Sequence, residues 1–212
     1  MSLIKQNASK NIYVSSFPVL VGKRNVVKLK ESYTWETKAE GEIAVETDSG
    51  KILNFFDPFF IMDKKMFEKD KTQPILLSGL ALTISKMERQ EFAVEKGNVY
   101  EHYLEEFLKE NPDKTEKDFE PPVHVIDPEY FRMVMPTDTC SEVEIAAKIE
   151  DIEYVNFMGE KITIMKVNFE HGEDDEYLYC NIYASEHVLN GYKPQINDGI
   201  TGIVWLTGHF YE

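Results

Sequence analysis

Apolar and polar residues alternate along both halves of the chain, and this pattern predicts a mostly β protein. In the first half, Val27 and Leu29 alternate with Lys28 and Lys30, which is typical of a strand with one buried and one solvated face. Residues 41–56 (GEIAVETDSGKILNFF) predict a β-hairpin, because two such runs flank an Asp-Ser-Gly turn.

The second half carries a stronger β pattern. Residues 161–169 (KITIMKVNF) change phase between Ile164 and Met165, which predicts a β-bulge and a curved strand. Residues 177–184 alternate without a break and place on one face Leu178, Cys180, Ile182 and Ala184. We therefore expect that face of the strand to lie in the core.

Two stretches are apolar on both faces. Residues 74–84 (PILLSGLALTI) fit a buried strand or a short helix, and their Ile, Leu and Thr content favours the strand. Residues 196–210 (INDGITGIVWLTGHF) predict a buried strand near the end of the chain. The three glycines in it, Gly199, Gly202 and Gly208, would allow tight bends and the close approach of another backbone.

One long helix and one helical turn are predicted. Residues 98–110 carry an apolar stripe at helical spacing, formed by Tyr100, Tyr103, Leu104, Phe107 and Leu108. Asn98 is the expected N-cap, with Glu101 three residues later, and Asn111 followed by proline is the expected end. A proline-rich, charged linker follows, and Ser185 is expected to start a short helical turn.

The two halves show a similar order of elements: a hairpin, a connector, and an apolar strand containing glycine. The spacing from the turn glycine to the strand glycine is 29 residues from Gly50 to Gly79 and 30 residues from Gly172 to Gly202. We therefore predict three segments: an N-terminal β unit (1–97), a helix and linker (98–122) and a C-terminal β unit (123–212).

This order of elements resembles the OB-fold, a small, partly open β-barrel. The resemblance spans Glu142–Tyr211 and, less completely, Ile12–Lys86. It implies a mainly β protein with minor α content, built as two small OB-like β-barrels or curved sheets joined by the amphipathic helix and linker. OB-like barrels support many functions, so the resemblance implies no particular activity.

The net charge of −15 is unevenly distributed, because residues 1–110 carry a net charge of −1 and residues 111–212 carry −14. Such a field repels nucleic acids and anionic membranes and attracts cations or basic proteins. The chain has two cysteines, Cys140 and Cys180, and no N-terminal apolar segment typical of a secretion signal. Its longest apolar stretch is too short to cross a bilayer, and we expect a cytoplasmic protein.

The motifs searched for do not indicate a catalytic mechanism, and we expect no cofactor and no catalytic residues. An enzyme or small-molecule binder with a site between the two units stays open, using His187 or His209 with a carboxylate. The acidic residues Glu173, Asp174 and Asp175 are weak candidates for binding a metal ion, since hard cations prefer oxygen ligands.

Aromatic residues provide the remaining candidates for binding: Tyr177, Tyr179, Tyr183 and Trp205. Tyrosines alternating along an exposed strand of an OB-like barrel would stack on unpaired bases, but the acidic charge of this half disfavours nucleic acid. The leading hypothesis is a non-enzymatic interaction module. Its acidic C-terminal half would engage a protein partner, specifically a basic one, or a second copy of the chain.

Overall fold

A computed structural model describes the backbone of residues 2–7, 10–16, 19–171 and 177–211, and the side chains of residues 19–170 and 178–211. The strands are β1 (Ser2–Asn7), β2 (Lys10–Ser16), β3 (Lys23–Thr34), β4 (Gly41–Glu46), β5 (Ile52–Asp57), β6 (Thr72–Lys86), β7 (Gln90–Ala93), β8 (Val123–Ile126), β9 (Met133–Pro136), β10 (Glu142–Phe157), β11 (Glu160–His171), β12 (Tyr177–Ser185) and β13 (Gly199–Phe210). The helices are α1 (Phe60–Asp63), α2 (Asn98–Glu110) and α3 (Glu186–Leu189).

Nine of these strands form one mixed sheet in the order β11-β12-β6-β3-β4-β5-β13-β10-β9. Two further pairings, β10 with β11 and β6 with β13, close the sheet into two rings of hydrogen-bonded strands. We call β3, β4, β5, β13 and β6 the N-terminal ring, and β10, β11, β12, β6 and β13 the C-terminal ring. The predicted mainly β architecture with minor α content is therefore confirmed.

The two rings share β6 and β13, which pair antiparallel along most of their lengths. β13 completes the N-terminal ring through a parallel pair between Thr207 and Phe56 of β5. β6 completes the C-terminal ring through parallel pairs that begin with Ser78 and Asn181 of β12. Each half of the chain thus supplies the strand that closes the other half's ring.

One cluster of buried apolar side chains extends through both rings. In β12 the inward residues are Leu178, Cys180, Ile182 and Ala184, so the alternation of that strand correctly predicts its core face. Residues 74–84, which are apolar on both faces, belong to strand β6, as the sequence favours. β6 pairs with β13 on one side and with β3 on the other.

The β-bulge predicted between Ile164 and Met165 is wrong in its position, because the register shift that β11 shows in its ladder with β12 lies between Asn168 and His171. The ladder between β10 and β11 shifts at Ile149/Asp151, so the extra residue is Glu150 of β10. The phase change in β11 has another cause, because Ile164 on its outer face is itself buried.

The glycines of β13 lie where other chain segments pass close by. A Cβ atom at Gly202 would overlap the carbonyl group of Thr83 on β6, and one at Gly208 would crowd the Phe55 ring. The close backbone approach predicted for this apolar, glycine-bearing strand is therefore confirmed at Gly202.

The helices begin and end close to the predicted positions. α2 covers Asn98–Glu110 and is followed by Asn111, as the sequence predicts. The predicted cap is wrong by one residue, because Gly97 is the N-cap and no side chain caps the helix. Ser185 does cap α3, accepting a hydrogen bond from the N–H of Val188 at 3.3 Å.

Residues 90–126 form an insertion between β6 and β9. β7 and β8 pair with each other in a two-stranded sheet apart from the large one, and α2 lies between them in the chain. No side chain of α2 is buried, although Tyr100 and Phe107 each contact the ring of Phe119 at 5.3 Å. The division at residues 97 and 122 stays a prediction.

Candidate functional site

Two of the tyrosines proposed for base stacking, Tyr179 and Tyr183, lie on the outer face of β12, where the chain covers part of them. Tyr183 is only 9% exposed, so it does not offer the open ring that the base-stacking alternative requires. Its hydroxyl accepts a hydrogen bond from the N–H of Val21 and donates one to the Val21 carbonyl, both at 3.0 Å. Burial raises the pKa of Tyr183. For Tyr177 the backbone alone is described.

Tyr179 lies beside charged and amide groups. The Lys166 ammonium sits 4.2 Å from its ring centroid and forms an ion pair of 2.8 Å with Glu150. The backbone N–H and C=O of Tyr179 both bond to the side-chain amide of Asn25 at 2.8 Å. Asn25, at the start of β3, therefore satisfies backbone groups at the edge of β12.

The candidate metal ligands Glu173, Asp174 and Asp175 lie outside the described residues. Within the part of the chain that the structure describes, no group of three or more His, Cys, Asp and Glu residues is arranged to hold a metal ion. The neighbouring Glu170 is buried and forms an ion pair of 2.8 Å with Lys51.

The two histidines considered for an enzyme site lie in different surroundings. His187 is exposed on α3. His209 is half-buried and contacts the Phe59 ring edge-on at 5.1 Å. Burial lowers the pKa of His209, and the negative charge of Asp63 opposes that shift.

Trp205 belongs to a cluster of aromatic rings on the outside of the N-terminal ring. Its ring centroid lies 5.0 Å from that of Phe56, which in turn lies 5.1 Å from that of Trp35. Phe56 is fully buried between them, whereas Trp35 is 39% exposed. This cluster assembles Trp205 with residues from the other half of the chain.

A buried carboxylate lies beside the aromatic rings. Ile43 and Val45 of β4 point into the core, so Glu42 points outward, next to Phe56 of β5 and Tyr33 of β3 in the ladders. Glu42 is nevertheless only 3% exposed, and its Oε1 atom has no hydrogen-bond partner. Among the ion pairs of the described residues, none includes Glu42.

The connection between β9 and β10 passes beside Glu42. Cys140 is exposed, and the charge of Glu42 is the main cause that raises the pKa of its thiol. Ser141 has a left-handed backbone (φ 59°), and its buried hydroxyl lacks a hydrogen-bond partner. Its carbonyl accepts a hydrogen bond of 2.7 Å from the N–H of Leu206, which anchors this connection to β13.

The site continues along β5 to Asn54, two residues before Phe56 and on the same outward face. The Oδ1 atom of Asn54 is buried and has no hydrogen-bond partner. Asn54 and Tyr33 line a cleft of about 330 Å³ together with Lys30, Glu31, Ala44, Ile52 and Lys69. We call the set Trp35, Glu42, Asn54, Phe56 and Trp205 the outer aromatic site.

The outer aromatic site combines ring faces with unpaired acceptor atoms. Aromatic faces attract cations, and a buried carboxylate is costly unless a cation or hydrogen-bond donors pair with it. The site therefore favours a ligand that brings positive charge and N–H donors.

Sequence reasoning found one member of this site, Trp205, and missed the others. Glu42 alternates with Ile43 like any solvated strand residue, so its burial depends on contacts that the sequence does not reveal. One available signal was the tryptophan count, because the chain has two tryptophans and both lie in the cluster.

Comparisons of the chain with protein-family models, with curated proteins and with solved structures found no match. Among the helices of the described residues, none is long and apolar enough to cross a membrane. The function therefore has to be inferred from the site.

Proposed function

We propose that each ring is an OB-like barrel and that the chain arose by duplication of one such unit. In both rings three consecutive strands are followed by a short helix and a fourth strand, and the other half supplies the fifth. Both rings also carry a register shift in the ladder between their first two strands, at Leu29/Glu31 and at Ile149/Asp151. These shared features support the duplication.

On this scaffold, we propose a non-enzymatic binding protein that holds a cationic group of a basic protein partner in the outer aromatic site. The observation that carries the proposal is Glu42, a buried carboxylate whose Oε1 atom lacks a partner. A guanidinium or ammonium group would supply the missing hydrogen bonds and the opposite charge. Hydrogen bonds to charged groups contribute about 1.5–3 kcal/mol each.

The aromatic rings and the overall charge support the same class of partner. Trp35 and Trp205 stand on either side of Phe56, and a cation over a tryptophan face gains about 0.5–2 kcal/mol. The net charge of −15 would accelerate the approach of a basic protein. The sequence predicts a partner contact with the acidic C-terminal half alone. The proposed site is built from residues of both halves.

Tryptophan fluorescence tests this proposal, because both tryptophans of the chain lie in the site. The protein is titrated with Nα-acetyl-arginine methylamide and, at the same ionic strength, with the corresponding blocked glutamate. We expect a saturable change with the arginine compound and none with the glutamate compound. Glu42→Gln should weaken the response by about tenfold or more, because it removes a buried charged acceptor.

The matched control is Glu105→Gln on the exposed side of α2, which makes the same change in net charge. It should bind the arginine compound as the parent protein does. Equal binding by the Glu42→Gln variant and the parent protein would refute the proposal, since the charge of Glu42 would then have no part in recognition.

A further inference from the structure

We infer that the partner segment lies extended across the outer face of β4 and β5, with its backbone bound by outward side chains in the way that Asn181 and Tyr183 of β12 bind the backbone of the chain's own Val21. The inference rests on the proposed function. It adds that the ligand is an extended peptide segment, bound through its backbone, with its basic side chain at Glu42.

The precedent lies in the C-terminal ring. Two successive outward residues of β12 bind the backbone of Val21, which comes just before β3. Asn181 donates a hydrogen bond of 2.9 Å to the Val21 carbonyl, and Tyr183 bonds to both the N–H and the carbonyl of Val21. Further along, Asn25 pairs with the backbone of Tyr179. This face of the ring therefore already holds a main-chain ligand.

The corresponding face of the N-terminal ring follows from the register of the ladders. In the first strand of each ring, one residue comes just before the register shift. That residue pairs with Val45 in the N-terminal ring and with Val167 in the C-terminal ring. Val45 is opposite Leu53, and Val167 is opposite Cys180. Leu53 and Cys180 are therefore equivalent positions in the third strands.

Counting onward from these positions, Asn54 is equivalent to Asn181, and Phe56 is equivalent to Tyr183. Asn181 is the residue whose amide holds the Val21 backbone, whereas the Oδ1 atom of Asn54 has no partner. The same residue type thus stands at the same position of both rings: the Nδ2 atom of Asn181 donates to the Val21 carbonyl, and the Oδ1 atom of Asn54 has no partner.

The charges on the face fix where the basic residue lies. Glu42 is next to Phe56, at the end of the site that carries both tryptophans. The other end of the site is the cleft beside Asn54, whose lining includes the oppositely charged Lys69 and Glu31. We therefore place the cationic residue at Glu42, and apolar or neutral residues over Asn54 and the cleft.

The chain supplies a suitable probe in its residues 19–25, which read VLVGKRN. This segment has three apolar residues, a glycine, two basic residues and an asparagine. An acetylated and amidated peptide of this sequence is titrated against the full-length protein, with tryptophan fluorescence as the readout. We expect it to bind at least tenfold more tightly than the blocked arginine, because main-chain hydrogen bonds add to the contact with Glu42.

Two changes test the main-chain contact. A peptide with the same sequence but N-methylated at alternate backbone amides keeps the charge and loses donors, so it should bind about tenfold more weakly. Asn54→Ala should weaken binding of the unmodified peptide by about fivefold to tenfold. The control Asn156→Ala, an exposed residue near the end of β10, should leave peptide binding unchanged.

The outcomes separate the inference from the proposed function. Equal binding by methylated and unmodified peptides, or a peptide no tighter than the blocked arginine, overturns the extended main-chain mode while leaving the cation site in place. If neither the peptide nor the blocked arginine changes the fluorescence, the proposed function fails as well.

Discussion

The hydroxyls of Ser78 and Thr207 lie 2.8 Å apart, both buried, at the point where the two rings meet. The two residues are direct partners in the antiparallel ladder of β6 and β13. Each is also a parallel partner of a third strand, since Ser78 pairs with Asn181 and Thr207 pairs with Phe56. This buried polar contact therefore marks the junction at which each half closes the other's ring.

The junction contact should appear as an energetic coupling. Ser78→Ala alone should lower the free energy of unfolding by about 1–3 kcal/mol, because it leaves the buried Thr207 hydroxyl without this partner. The double variant Ser78→Ala/Thr207→Val should cost less than the sum of the two single changes. Urea unfolding of the four proteins measures the coupling, and strictly additive single effects would contradict the contact.

Gly202 should tolerate no side chain. A Cβ atom there would overlap the backbone of Thr83, and a ladder between two central strands leaves little freedom to move apart. Gly202→Ala should therefore lower the free energy of unfolding by about 1–3 kcal/mol. Gly97→Ala is the control, since nothing lies within 4 Å of its would-be Cβ. Similar melting temperatures for the two variants would contradict this reasoning.

Local features of the fold were predictable from sequence, and the exchange of strands was not. The alternation in β12 and the Ser185 cap depend on neighbours in the chain, so the pattern of residues predicts them. The closure of the N-terminal ring depends on Thr207 meeting Phe56, which lie 151 positions apart. No periodicity encodes such a pairing, and the outer aromatic site depends on it because β13 brings Trp205 to Phe56.

The site shows the same limit at the level of single residues. The sequence draws attention to Trp205 as an aromatic residue in an unusual strand, and its role in binding stays a prediction. It gives Glu42 the pattern of a solvated residue, because burial by the Cys140–Ser141 connection and by neighbouring rings is a tertiary effect. The alternation in β12 indicates that its tyrosines share a face. It does not indicate that the Val21 backbone bonds to Tyr183.

The hydroxyl of Tyr183 should stabilise the folded protein. Tyr183→Phe removes both hydrogen bonds to Val21 and should lower the free energy of unfolding by about 1 kcal/mol. Tyr130→Phe, at a residue 76% exposed, should change it by less than about 0.5 kcal/mol. Chemical denaturation measures both. If Tyr179→Ala, which removes the ring, weakens binding of a single-stranded oligonucleotide at unchanged stability, the stacking hypothesis regains support.

Asp57 should make the stability of the protein depend on pH. It is fully buried at the end of β5, and burial, with the charge of Asp63, raises its pKa to about 8 from 3.8. The folded chain therefore holds a proton between these two values that the unfolded chain has lost. The contribution of Asp57 to the free energy of unfolding falls as pH rises through this range, by at most about 1.4 kcal/mol per pH unit.

The variant Asp57→Asn isolates this effect. The amide keeps an oxygen to accept the 2.7 Å hydrogen bond from the N–H of Phe59, and it cannot ionise. Urea unfolding at pH 5, 6, 7 and 8 should therefore show the variant gaining stability relative to the parent protein as pH rises. Asp113→Asn, at an exposed position, should follow the parent protein throughout. Parallel curves for Asp57→Asn and the parent protein would show that Asp57 ionises in the folded protein as it does in the unfolded chain.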